Sequence, residues 1–256
     1  HSGGPAHVAA AQAMLAGAGV SPEALVCGAH LPIGEAEAHA LLRAGGETSR
    51  CHNNCSGKHA GMLATAQHLG ETLEGYHEAG HPVQRAIRGR LERLCDARLA
   101  DTDMMGVDGC GAPNWAIPLA GLATGFARLI TGEQCADDDA RAADKLMHAC
   151  WSAPEMMAGE GRLDTTVLRR LPGEVFIKSG AEGVFCGAIR SRGLGFALKV
   201  DDGAKRGSEA VVRALIARLA AGGSEFDGPW PLENWDGRVV GETRLSADAV
   251  AAISRL

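Results

Sequence analysis

The chain has 256 residues, 46% of them hydrophobic, and a formal net charge of -6 at pH 7. Its lysines and arginines are spread among acids, which excludes the basic stripe of a nucleic-acid-binding protein. No apolar run approaches the ~20 residues that cross a bilayer, so we expect no membrane partner. The length predicts one domain over residues 1–256, with an unassigned tail at 221–256.

Hydrophobic periodicity predicts that helices dominate the first two thirds of the chain. The first predicted helix, from Pro5 to Ala18, is rich in alanine and closes at Gly17 and Gly19. Similar patterns follow at Glu35–Ala44, His59–Leu69, Val83–Arg98, Ile117–Ile130, Asp137–Cys150, Leu163–Leu171 and Ser208–Ala220.

The hydrophobic period changes near the end of the chain. Three apolar runs separated by glycine-containing turns, Val175–Ile177, Val184–Ile189 and Leu194–Val200, predict an antiparallel meander. Because alternating βαβ units are absent, we predict the α+β class, an antiparallel sheet flanked by helices. The segment from Arg238 to Leu245 fits either one more strand or a covering arm.

The eight cysteines are scattered through a long chain, unlike the dense framework of a small disulfide-rich domain. This usage predicts reduced thiols and a cytoplasmic location. A homodimer is expected as the commonest state of soluble homo-oligomers.

The densest polar cluster is the run Cys51–His59, which directly precedes an apolar helix. Ser56 and Gly57 fit a helix start, whose free N–H groups favour an anion. An ordinary cap beside a buried cysteine explains the same residues. Gly57-Lys58 resembles a phosphate-binding loop, but His52 replaces the required glycine and His59 the Ser or Thr, so we reject a nucleotide site.

The cysteines of this run also suggest a zinc site that needs a distant ligand. Cys51 and Cys55 are four residues apart, but no second close pair completes a four-ligand pattern. Cys110, flanked by glycines in the Asp108–Pro113 loop, is the candidate. A small turn around a buried thiol is the alternative interpretation of that loop.

A third motif, Lys178-Ser179-Gly180, follows the first predicted strand of the meander. It matches the Lys-Ser/Thr-Gly box that borders the active site in β-lactamases and penicillin-binding proteins. No Ser-x-x-Lys precedes it in this chain, since Ser56 and Lys58 are one residue too close. A hairpin turn therefore remains an alternative.

Together these motifs resemble the Rhizobium-type L-asparaginase family. The segments that carry the resemblance are His1-Ser2-Gly3, Cys27-Gly28, Asn53–Met62, His81-Pro82, Asp108-Gly109-Cys110, Gly159–Arg162, Lys178–Gly183 and Lys199-Val200. The resemblance implies a serine β-lactamase-like fold and hydrolysis of L-asparagine to L-aspartate and ammonia. It further implies a zinc ion held by Cys55, Lys58 and Cys110.

The same resemblance implies chemistry by two Ser-Lys pairs, in which Lys178 is the general base or proton relay. Proximity to the zinc ligands suggests that Asp108 binds the substrate ammonium, while Asn54 and His59 position a carboxylate or water. The matching serines lie before His1, so we expect a longer natural protein. Gly4-Pro5 departs from the family, in which many members carry an acidic residue there.

Two other functions remain open at this stage. One is a zinc-binding relative without turnover, and the other is an amidase that uses Cys55 with His59 and needs no upstream serine. The sequence does not separate asparagine from glutamine as substrate, because one methylene is worth only ~1 to 3 kcal/mol in a pocket.

Overall fold

A computed structural model describes residues 1–99 and 105–256 of the chain. The first compact unit comprises His1–Arg93, Ala97–Ile117 and Ala153–Thr165, and the second comprises Leu94–Asp96, Pro118–Ser152 and Thr166–Leu256. The described residues combine helices with small antiparallel sheets, which confirms the α+β class. The single domain and its tail stay predictions.

The helices agree with the sequence periodicity. Their bounds are α1 Pro5–Gly17, α2 Glu35–Arg43, α3 Ser56–Leu69, α4 Pro82–Cys95, α5 Leu119–Thr131, α6 Asp137–Ser152, α7 Pro154–Met157, α8 Leu163–Arg170, α9 Lys205–Leu219 and α10 Ala247–Ile253. All eight predicted helices are confirmed, with ends displaced by up to three residues. The short helices α7 and α10 were not predicted, because one to two turns offer too few apolar positions for a period. No helix in the described ranges is both long and apolar enough to cross a bilayer.

The predicted meander lies in the second unit. Strands β3 (Val175–Ser179), β4 (Val184–Ile189) and β5 (Leu194–Lys199) pair antiparallel in the order β3-β4-β5. Near the chain end, β6 (Trp230–Glu233) pairs with β7 (Val239–Thr243). The segment from Arg238 to Leu245 therefore contains one more strand. Helix α5 packs on β4 and β5 and covers one face of the meander.

Gly195 allows the close approach of α5 to β5. A Cβ atom at this position would lie 1.8 Å from the Ala123 carbonyl oxygen, which belongs to the helix backbone and cannot rotate away. We expect Gly195→Ala to lower the free energy of unfolding by about 3 kcal/mol or more, through overpacking. Chemical denaturation measures the change.

Gly89→Ala is the matched control for this substitution. Gly89 lies inside α4, where an added Cβ meets only the end of the Arg93 side chain, at 3.7 Å. Higher helix propensity should make this variant more stable by about 0.5 to 1 kcal/mol. Equal stability of the Gly195→Ala variant and the wild type would contradict the described packing.

The first unit holds the Cys51–His59 run and the cysteine loop. Helix α1 packs on α3, and strands β1 (Met105–Val107) and β2 (Pro113–Trp115) form a hairpin whose turn is the predicted loop. One hydrophobic cluster joins these parts; it includes Leu15, Cys27, Leu63, Tyr76 and Cys110. The cluster brings α3 and the hairpin turn to one place.

Candidate functional site

The structure brings together two predicted zinc ligands and a carboxylate. The ligand atoms of Cys55, Asp108 and Cys110 all lie within 4.8 Å of one another. Cys55 is the N-cap residue of α3, and a helix N-terminus favours a negatively charged neighbour. The structure thus brings the candidate loop Asp108–Pro113 next to Cys55.

The hairpin turn positions Asp108 and Cys110 through its own backbone. The Asp108 N–H donates to the Ala112 carbonyl at 2.9 Å, and the Gly111 N–H donates to the Asp108 carbonyl at 2.8 Å. Gly111 has a φ of +88°, in a region that favours glycine over other residues. The glycine after Cys110 is therefore required by the turn that presents this thiol.

Lys58, the third predicted ligand, joins the same group as a cation. Its Nζ lies 3.2 Å from Asp108 Oδ2, and the Cys110 thiol donates to that oxygen at 3.1 Å. Burial lowers the pKa of Lys58, but the negative charge of Cys55 and the hydrogen bonds with Cys110 and Asp108 outweigh it, so the pKa is raised. Hydrogen bonding from Cys110, and then from Lys58, lowers the pKa of Asp108.

Asn53 shapes the site and was not predicted from the sequence. Its side chain is 4% exposed and donates from Nδ2 to the Cys27 carbonyl at 2.7 Å, while Oδ1 accepts from the Cys55 N–H at 2.8 Å. An asparagine two residues before a helix N-cap is a recognisable turn signal. The partner Cys27 carries no such signal, and burial raises the pKa of its thiol to about 11.

His59 is fully buried behind the ligand residues. Its Nδ1 lies 2.6 Å from the Tyr76 hydroxyl. Burial, together with the charge of Lys58, lowers the pKa of His59 to about 4, which keeps the ring neutral near pH 7. Its Nε2 has no hydrogen-bond partner in the described part of the chain, so Cys55 and His59 are not hydrogen-bonded there. The Cys-amidase interpretation therefore lacks its dyad in this structure.

Asn54 lies at the surface beside Cys55. Its Oδ1 is 3.3 Å from His30 Nε2, and its carbonyl accepts a hydrogen bond from the His1 amino group at 3.2 Å. Its exposure leaves Asn54 open to a ligand, whereas His59 is enclosed. Asn54 is thus exposed and His59 buried, although both were predicted to position a carboxylate or water.

The serines near this group are engaged in hydrogen bonds. Ser2 Oγ donates to Glu37 Oε1 at 2.9 Å. Ser56, fully buried, lies 3.0 Å from His1 Nε2 through its hydroxyl oxygen. Because His1 Nδ1 accepts from the Gly3 N–H, a neutral His1 carries its proton on Nε2 and donates it to Ser56. His1 is then not placed to remove a proton from Ser56.

Lys178 lies in the second unit, on β3 opposite Cys186 of β4. Its side chain is half-buried, and Nζ donates to the Ser179 carbonyl at 2.6 Å and to the Ser179 hydroxyl at 3.4 Å. The predicted box is thus the end of a strand and not only a hairpin turn. Ser179 is the serine that this lysine contacts within the motif.

Cavities of ligand size occur in both units. One of about 410 Å³ adjoins the hairpin turn and is lined by His77, Glu78, Ala79, Met105, Val107, Gly111 and Pro113. A larger one of about 460 Å³ lies in the second unit between α9, the β6–β7 hairpin and α10, and no predicted site residue lines it. Of these two cavities, only the first adjoins the candidate metal group, through Gly111, which directly follows Cys110. None of the predicted substrate-binding residues Asn54, His59 and Asp108 lines it.

These features define an α+β protein with a thiol-rich candidate metal site at the start of a helix. Residues 1–245 match the sequence model of the L-asparaginase II family, so the chain belongs to that family. The match confirms the resemblance identified from the motifs. No curated protein matches the chain.

Proposed function

We propose that the chain hydrolyses the side-chain amide of L-asparagine to L-aspartate and ammonia. Membership of the L-asparaginase II family supports this reaction. The observation that carries the proposal is the convergence of Cys55, Asp108 and Cys110, with Lys58 paired to Asp108. Reduced cysteines support a cytoplasmic location, and a homodimer stays our expectation for the assembly.

Cys55, Lys58 and Cys110 are the proposed zinc ligands. Two thiolates and a nitrogen suit zinc, and three protein ligands leave a position for substrate or water. When bound, zinc supplies Lewis-acid polarisation or orientation of the substrate. The closeness of the two thiols fits such a group, and Lys58 would join it by giving up its proton and its ion pair with Asp108.

Asp108 is the proposed partner of the substrate ammonium. Lys58 can bind a metal only as the neutral amine, and a neutral amine no longer forms an ion pair with Asp108. The Asp108 carboxylate, 42% exposed, would then be available to an ammonium of the substrate. We propose that the exposed Asn54 binds the substrate carboxylate. The buried His59 holds α3, the helix of Cys55 and Lys58, in place through its hydrogen bond with Tyr76.

Lys178 is the proposed general base. In its neutral form it accepts the proton of a serine hydroxyl while the serine oxygen attacks the amide carbon. The C–N bond then breaks, and Lys178 returns the proton to the leaving nitrogen, which departs as ammonia. Water then cleaves the ester and releases aspartate. The family resemblance implies that the nucleophile is a serine; Ser2 and Ser56 are hydrogen-bonded to Glu37 and His1.

Ammonia release from the natural-length protein tests the proposed function. We expect turnover of L-asparagine, with L-glutamine slower by roughly 10- to 200-fold, the discrimination that one methylene supports. Removal of zinc by a chelator should abolish turnover, and added zinc should restore it. A zinc-loaded protein that releases no ammonia would instead be the non-catalytic relative. Turnover that survives zinc removal but disappears in Cys55→Ala would establish the Cys-dependent amidase.

A further inference from the structure

Tyr76 is the only tyrosine of the chain and lies in the core of the first unit. It is 1% exposed and belongs to the same hydrophobic cluster as Cys27 and Cys110, with Cys55 packed against that cluster. A tyrosine in such a place must pair its hydroxyl or bear the cost of a buried polar group. The partners of this hydroxyl connect Tyr76 to the metal group.

The hydroxyl joins two separate segments of the site. Tyr76 Oη lies 2.6 Å from His59 Nδ1 and accepts a hydrogen bond from the Val26 N–H at 3.2 Å. His59 directly follows Lys58 and lies one helical turn after Cys55, while Val26 directly precedes Cys27. One oxygen atom therefore connects the ligand helix α3 to the Cys27 loop.

Counting protons gives the direction of the bond between Tyr76 and His59. If the hydroxyl donates to Nδ1, its oxygen accepts from Val26, and only His59 Nε2–H remains without a partner among the described residues. If His59 Nδ1–H donates to the tyrosine oxygen instead, two groups lack a partner among the described residues: His59 Nε2 and the hydroxyl hydrogen of Tyr76. The first arrangement leaves fewer buried groups unpaired, so Tyr76 donates to His59.

Further hydrogen bonds connect the same segments. Asn53 connects the Cys27 carbonyl to the Cys55 N–H, and the Gln84 side chain donates to the Tyr76 carbonyl at 2.9 Å. Asn53 fixes the backbone at the start of α3, and Gln84 also donates to Met62 Sδ at 3.2 Å, further along the helix. Tyr76 is the residue of this set that contacts His59, in the turn that begins at Cys55 and contains Lys58. Its hydroxyl therefore ties the turn that carries Cys55 and Lys58 to the Cys27 loop.

From the Tyr76 hydroxyl placed between His59 of α3 and Val26 of the Cys27 loop, we infer that Tyr76 is a positioning residue for the metal group. It fixes the first turn of α3 and, with it, the placement of Cys55 and Lys58 relative to Cys110. Partners behind metal ligands tune affinity in this way. The inference rests on the zinc group of the proposed function.

Tyr76→Phe tests the inference, because phenylalanine keeps the ring and removes only the hydroxyl. We expect zinc affinity, measured by competition with a chromophoric chelator, to fall by about 10- to 100-fold. In the cobalt-loaded protein, the thiolate-to-metal absorption should change. Ile216→Val, a fully buried core substitution in the second unit, is the control and should leave zinc affinity and the cobalt spectrum unchanged.

Variants of His59 supply the second test and remain informative if Tyr76→Phe does not fold. The oxygen of His59→Asn can accept the tyrosine hydrogen in place of Nδ1, so this variant should keep more zinc affinity than His59→Leu. Equal affinities of these two variants, or a folded Tyr76→Phe with the affinity and cobalt spectrum of the wild type, would overturn the inference. Absence of zinc binding in the wild type would instead overturn the proposed metal group itself.

Discussion

Cys110→Ser is expected to lose zinc binding and asparagine turnover together while the protein stays folded. Serine is nearly isosteric, and its hydroxyl can still donate to Asp108 as the thiol does at 3.1 Å. A neutral hydroxyl is a far poorer zinc ligand than a thiolate, so zinc affinity should fall by more than about 100-fold. Metal analysis after dialysis and chelator competition measure the loss, and released ammonia measures turnover.

Cys150→Ser is the matched control for Cys110→Ser. Cys150 is half-buried in α6 of the second unit and lies in none of the predicted site motifs. Its replacement should leave zinc content near that of the wild type. Equal zinc loss in both variants would point to a general effect of thiol removal and would contradict the assignment of Cys110 as a ligand.

Lys178→Met is expected to abolish most turnover without changing zinc content. Methionine retains much of the apolar stem within β3 but removes the amine that we propose as general base. General acid–base catalysis contributes typically ~10²- to 10⁴-fold, and we expect kcat to fall by about that factor. Because no proposed zinc ligand is altered, metal analysis should give the wild-type value.

Lys199→Met provides the comparison for Lys178. Lys199 ends strand β5, on the far side of β4 from β3; it is exposed and donates from Nζ to the Val200 carbonyl, much as Lys178 donates to the Ser179 carbonyl. Its replacement should leave kcat within about threefold of wild type, as expected for an exposed side chain with no proposed role in the reaction. If Lys178→Met also stays within that range, Lys178 is not the base and its role in the strand is structural.

The local periodicity of apolar residues was enough to predict most helices and strands. Helices such as Asp137–Ser152 and the strand Val184–Ile189 repeat their apolar residues with a period set by backbone geometry, which short windows of sequence record. Helix ends depend on individual hydrogen bonds instead. Helix α3 begins at Ser56, three residues before its predicted start, where the Ser56 N–H donates to the Asn53 carbonyl and Asn53 Oδ1 accepts from Cys55.

The candidate site, like the fold, was predictable only in part from the sequence. The sequence by itself determined that the chain resembles an asparaginase, because motif order is a property of residue type, and that resemblance made Cys55, Lys58 and Cys110 the candidate ligands. Only the tertiary structure decided that Asp108 pairs with Lys58, that Tyr76 holds His59, and that His59 is enclosed while Asn54 is exposed. Those relations join residues far apart in the chain, and they follow from how α3, the Cys27 loop and the β1–β2 hairpin pack, which no local period encodes.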